Sequence, residues 1–139
     1  TFEIDGERVE AARENAVLSR ADRKITFIHH DVTAYELASL PGKIDAAFID
    51  PDWADEGTEH PYRFIGSATR PPSDKLLERV FAVTPNVTLV QPPLIDPAEF
   101  AGLPPHELER LYLGGAFELF CLHFGELANA TGETEYKAR

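Results

Sequence analysis

The chain has 139 residues, 43% of them hydrophobic, which is the size of one domain (1–139) with enough apolar content for a core. A formal net charge of −11 and a pI near 4.8 oppose any general affinity for nucleic acid or anionic membrane, so an RNA substrate would need a basic surface elsewhere. The single cysteine, Cys121, excludes an internal disulfide framework and a four-cysteine zinc site; it reads as a small buried hydrophobe and fits a reducing, cytoplasmic setting.

No charged start leads into an apolar core and a cleavage site, so no signal peptide is expected. No apolar run approaches the roughly 20 residues of a membrane-spanning helix, so no membrane partner is expected either. The chain contains no methionine and opens inside an apolar pattern, Thr1-Phe2-Glu3-Ile4, so it is expected to continue an upstream segment.

Residues 2–4 read as the end of a strand, followed by a helix over 7–18 in which Val9, Ala12, Ala16 and Val17 recur at helical spacing. Glu7 and Glu10 suit the positive end of that helix. Residues 25–28 alternate as a short strand that ends in His29-His30-Asp31. Thr33 is placed to cap a short helix over Tyr35, Leu37 and Leu40, stopped by Pro41-Gly42.

The run 44–49 is almost continuously apolar, as in a strand covered on both faces, and it stops at Asp50-Pro51-Asp52-Trp53. Pro51 lacks an N–H, so a sheet ladder cannot continue through it. In open α/β sheets ligands sit outside the carboxyl ends of the strands, which is where these residues emerge. A turn with a core-plugging Trp53 accounts for the same tetrapeptide.

Residues 54–72 are polar and rich in Gly and Pro, as in a lid or binding loop. Ser73 then caps a helix through Leu76, Leu77, Val80 and Phe81, and 87–90 is the next buried strand. Gly114-Gly115 joins 109–113 to 116–124 as an antiparallel hairpin. The polar tail, 128–139, is expected to fray. Strand and helix alternate up to the third strand, which implies parallel pairing.

Glu3-Ile4-Asp5 with Ala12-Arg13-Glu14-Asn15-Ala16, then Ala47 to Trp53, then Leu122-His123-Phe124-Gly125-Glu126-Leu127 follow one another in an order that resembles the class I S-adenosylmethionine-dependent methyltransferases. Within that class the chain is most similar to the trimethylguanosine synthase family of RNA cap guanine-N2 methyltransferases. The resemblance implies a Rossmann-like α/β fold from its second strand onward, with parallel strands and a C-terminal antiparallel hairpin. The first strand and its Gly-rich loop would lie upstream, so this chain alone is expected to bind the cofactor weakly.

The resemblance also implies roles. Glu3 would accept hydrogen bonds from the ribose hydroxyls of S-adenosylmethionine, and Ile4 would pack on the adenine. Asp31 would take the adenine amino group, with Val32 alongside. Asp50 and the Pro51 carbonyl would orient an exocyclic amine of a base, guanine in RNA being the expected substrate, and Trp53 would stack on it. Asp50 is also counted on the cofactor side. Asp52 departs from the pattern, since the family has a second proline there.

Other chemistries compete. A metal-dependent hydrolase would use Asp31, Asp50 and Asp52 to hold a divalent cation, and a relic would keep the fold without activity. Helix-start and turn roles also account for Glu3, Asp5 and Asp31. His29 and His30 are adjacent on a strand and point to opposite faces, so they do not serve one ion together. His60, His106 and His123 show no ligand spacing and read as surface or partly packed histidines, and Arg63 and Arg70 are either contacts to a substrate phosphate or solvated loop charges, the commoner case.

Overall fold

The computed structural model describes residues 1–53, 62–67 and 69–138, and the chain divides into two compact units, Thr1–Leu40 and Pro41–Arg139. It is a mixed α/β protein; the described residues form two α-helices and a five-stranded mixed sheet besides a two-stranded one. No described helix is long and apolar enough to cross a membrane.

In the first unit, β1 (Phe2–Glu3) and β2 (Ile28–His29) pair in parallel, with Glu3 opposite His29, and α1 (Gly6–Leu18) lies between them in sequence. Asp5 starts α1: its Oδ1 accepts the N–H groups of Glu7 at 2.8 Å and Arg8 at 3.2 Å, satisfying two of the donors that a helix start leaves open. Only Ile28 and His29 of the second expected strand pair, because Asp22–Lys24 just upstream winds as a 3-10 turn. The helix expected after Thr33 is a single 3-10 turn, Leu37–Ser39, capped by Glu36, whose side chain accepts from Ala38 N–H; Thr33 instead donates to Asp31.

In the second unit the strand order is β3-β4-β6-β5-β7, with β3 (Ala47–Ile49), β4 (Val87–Gln91), β5 (His106–Leu113), β6 (Ala116–Phe124) and β7 (Gly132–Ala138). β3 and β4 are parallel, β6 is antiparallel to both β4 and β5, and β7 is parallel to β5. A row of side chains, Ile49, Leu89, Leu122 and Leu108, runs across the sheet in register, each with at most 6% exposure. The helix α2 (Ser73–Phe81) buries Leu76, Leu77 and Val80, and Phe81 meets Phe124 edge-on at 5.0 Å. Burying a side chain of this kind contributes about 1.5–3 kcal/mol.

β4 is buried along its whole length, its polar Thr88 and Gln91 included, as in a strand covered on both faces. Residues 44–46 lie outside the ladder and Phe48 is 71% exposed, so β3 is shorter than the apolar run suggests and is covered on one face, that of Ile49, rather than on both. Ser73 is the first residue of α2 rather than its cap; its N–H donates to Thr69 Oγ1 at 2.9 Å, so Thr69 meets the open donor. The hairpin about Gly114 and Gly115 forms as expected, both glycines with positive φ.

The tail corrects the expectation of fraying at 128–139: Gly132–Ala138 is an edge strand. Its polarity misleads because an edge strand exposes its side chains and commonly carries charge. Arg110 Nε donates to Glu133 at 3.0 Å, and Thr134 Oγ1 donates to buried Glu107 at 2.7 Å.

Candidate functional site

In the first unit, Glu3 and Asp31 both lie at the carboxyl end of the parallel pair. Glu3 Oε1 accepts Asp5 N–H at 2.9 Å, which folds the half-buried side chain toward the turn into α1. Ile4, the next residue, is 67% exposed. Asp31 Oδ1 accepts both the N–H and the hydroxyl of Thr33, at 2.8 and 2.7 Å, so Asp31 closes a turn. Val32 between them is half-buried. A shallow hollow on the flank of α1, lined by Asp5, Gly6, Glu7, Glu10, Ala11 and Glu14, carries only acidic ligand groups and contains neither Glu3 nor Asp31.

In the second unit, Asp50 to Trp53 leave the carboxyl end of β3. Pro51 is buried, Trp53 is half-buried, and Asp50 and Asp52 are exposed. The Asp50 carboxyl is held above its ordinary pKa, first because neighbouring protein displaces part of its hydration and then because Asp52 carries the same charge. Asp50 faces solvent, so this shift contributes little to stability.

Asp52 makes an antiparallel bridge with Arg70: its N–H donates to Arg70 O at 3.0 Å, and Arg70 N–H donates to Asp52 O at 2.8 Å. A proline at position 52 could not donate the first of these bonds. The Arg70 guanidinium also lies 4.0 Å from the Asp52 carboxylate. Trp53 is fixed through its backbone, since its carbonyl accepts the hydroxyl of buried Tyr62.

Under this turn a polar network was not visible in the sequence. Ser67, Thr69 and Ser73 exchange hydrogen bonds, and Gln91, fully buried at the end of β4, donates to Ser73 Oγ at 2.8 Å. Such a network rigidifies the segment that answers Asp52. Arg63 pairs with Glu99 at 3.2 Å. The expected loop 54–72 lies partly outside the described residues, as does His60.

Across the other sheet face, Glu109 and Cys121 face each other on β5 and β6, and His123 stands two residues further along β6. His123 Nε2 is 3.3 Å from Glu109 Oε2, and its Nδ1 is 2.9 Å from Thr88 Oγ1. His123 is half-buried, as a partly packed histidine would be, and its grouping with Glu109 and Cys121 arises across strands, where spacing along the sequence does not reveal it. Among the described residues this is the group whose metal-ligating atoms converge, and it includes none of Asp31, Asp50 and Asp52. No protein-family model matches the sequence, and no curated protein matches it.

Proposed function

We propose that this chain belongs to an S-adenosylmethionine-dependent methyltransferase of Rossmann-like fold that acts on an exocyclic amine of a base, guanine in RNA being the favoured substrate. The observation that carries the proposal is the turn after β3, where Asp50 is exposed with a raised pKa, Pro51 ends the strand and Trp53 is anchored by its backbone. Further support comes from the placement of antiparallel β6 between β4 and β5, which is the C-terminal hairpin that the resemblance implies.

The residues fit the cofactor's adenosine. Glu3 is an acceptor-only side chain at a strand end, suited to two hydroxyl donors, and exposed Ile4 beside it offers an apolar surface to a ring. Asp31 and Val32 stand at the neighbouring strand end for the adenine edge. When bound, S-adenosylmethionine supplies an electrophilic methyl group.

The chain's own part is alignment. Asp50 and the Pro51 carbonyl accept N–H groups of the amine and aim its lone pair, and a raised pKa makes Asp50 a better acceptor for the proton that the amine sheds. Trp53 offers a ring on which the base stacks. Arg70 offsets the charge that Asp52 adds beside the amine. The net charge of −11 leaves phosphate recognition to local groups rather than to a general basic face. A cytoplasmic setting accompanies this reading, since the one thiol stays reduced there.

The test is transfer of a labelled methyl group from S-adenosylmethionine to guanine-containing RNA by the full-length protein. Label on an exocyclic nitrogen supports the assignment. No transfer to any nucleobase, or a hydrolytic activity that ignores S-adenosylmethionine, overturns it.

A further inference from the structure

On the sheet face that carries Thr88 and Val90, three different ligand types meet. Glu109 and Cys121 are a direct cross-strand pair, and His123 follows Cys121 by two residues, so all three share that face. One ligand atom from each lies within 4.8 Å of the others. We infer that Glu109, Cys121 and His123 form a binding site for a divalent transition-metal ion of the zinc class.

Carboxylate oxygen, thiolate sulfur and imidazole nitrogen are the donors zinc takes, and bonds of about 2.0–2.3 Å in a tetrahedron set donors about 3.3–3.8 Å apart. The Glu109 to His123 separation, 3.3 Å, already falls there. Cys121 Sγ needs to close by about 1.5 Å at most, which a side-chain adjustment supplies.

The second shell is present as well. Thr88 Oγ1 sits 2.9 Å from His123 Nδ1 and can accept its proton, which leaves Nε2, the nitrogen facing Glu109, as the ligand. A carboxylate and a thiolate together balance a 2+ ion. Enclosure is partial: Cys121 is 8% exposed, and the side chains of Glu109 and His123 are 24% and 19% exposed.

A cross-strand pair of Glu109 and His123 beside a core cysteine is the plain alternative. It does not account for a carboxylate set directly across from a buried thiol, a contact that forms no ion pair. Metal binding turns that contact into a bond, as the Cys121 proton leaves to solvent and sulfur donates to the ion. Three protein ligands leave one tetrahedral position open, the pattern of a catalytic rather than a closed structural zinc site. None of the three residues has a role in the proposed methyl transfer, so the two proposals fail separately.

The test is titration of the metal-free chain with cobalt(II), followed by zinc(II). Cys121 is the only cysteine, so a thiolate-to-cobalt charge-transfer band reports this residue alone. The expected result is a band that saturates at one ion per chain, is bleached by zinc and is lost in His123→Gln. Thr88→Val keeps all three ligands and is expected to weaken binding about 10–100-fold. No band in the wild type, or a band unchanged in both His123→Gln and Glu109→Gln, overturns the site. If a variant does not fold, X-ray absorption of the zinc-loaded wild type decides: sulfur with imidazole in the shell supports the site, and nitrogen and oxygen alone refute it.

Discussion

Replacing Glu107 with glutamine keeps its size and removes its charge at the point where the connection from β6 crosses to β7. Glu107 is 6% exposed; its Oε2 accepts Asn129 N–H and its Oε1 accepts the Thr134 hydroxyl, both at 2.7 Å. A hydrogen bond to a charged group contributes about 1.5–3 kcal/mol, and an amide can satisfy only one of these donors while turning its NH₂ toward the other, so Glu107→Gln should cost about 2–4 kcal/mol at pH 7.

The Glu107 pKa is lowered, chiefly by the Thr134 hydroxyl against the opposing effect of burial, with the backbone N–H groups of Asn129 and Ala130 and then His123 adding to it. A depressed folded-state pKa means the contribution is complete above the unfolded value, about 4.3, and is lost as pH falls through the folded one. Urea denaturation of wild type and variant at neutral and acid pH should therefore show a gap that narrows below about pH 4. Hydrogen exchange should localise the loss to β7. A gap under about 0.5 kcal/mol at pH 7, or one that does not change with pH, would refute the reasoning.

Asp52→Pro removes the N–H that reaches Arg70 O, and should cost about 1–3 kcal/mol in denaturant; unchanged stability would show that the bridge is dispensable. Gly125→Ala places a methyl against the Asn86 side chain and 2.8 Å from Pro85 O at a φ of +63°, and should cost about 1–3 kcal/mol from the backbone alone; an unchanged Tm would contradict this. Metal-free Cys121, with its pKa raised to about 11, should alkylate at neutral pH at least roughly tenfold more slowly in the folded chain than in urea; equal rates would refute the burial argument.

Much of the second unit was legible because its signals are local. The apolar run of β4, the helical spacing of Leu76, Leu77 and Val80, and the paired glycines of the hairpin each specify their element without help from the rest of the chain. β7 was not legible, since its charged residues are stabilised by Glu107 and Arg110 on a neighbouring strand. The Glu109–Cys121 pair was hidden by register. Counting back from Leu113 opposite Ala116 sets Glu109 against Phe120, but the bulge after Leu111 adds a residue to β6 and brings Cys121 to Glu109's side. The turn from Asp50 to Trp53 stood out because a proline stops an apolar run, although β3 itself is only partly covered, with Phe48 71% exposed. What holds the turn, the Arg70 bridge to Asp52 and the Tyr62 hydroxyl on the Trp53 carbonyl, comes from residues up to 18 positions away, which no local pattern reveals.

The central claim, that Asp50 aligns an amine for methyl transfer, is tested most directly by steady-state kinetics of Asp50→Ala beside Trp53→Ala in the full-length protein. A group that acts on the reacting amine shows itself in kcat, so Asp50→Ala should lower kcat on the order of 100-fold with S-adenosylmethionine affinity near normal. Trp53→Ala should act mainly on substrate binding, by about 1–3 kcal/mol. An Asp50→Ala variant with undiminished kcat, or an activity that needs a divalent ion at Asp50 and proceeds without S-adenosylmethionine, would contradict the account.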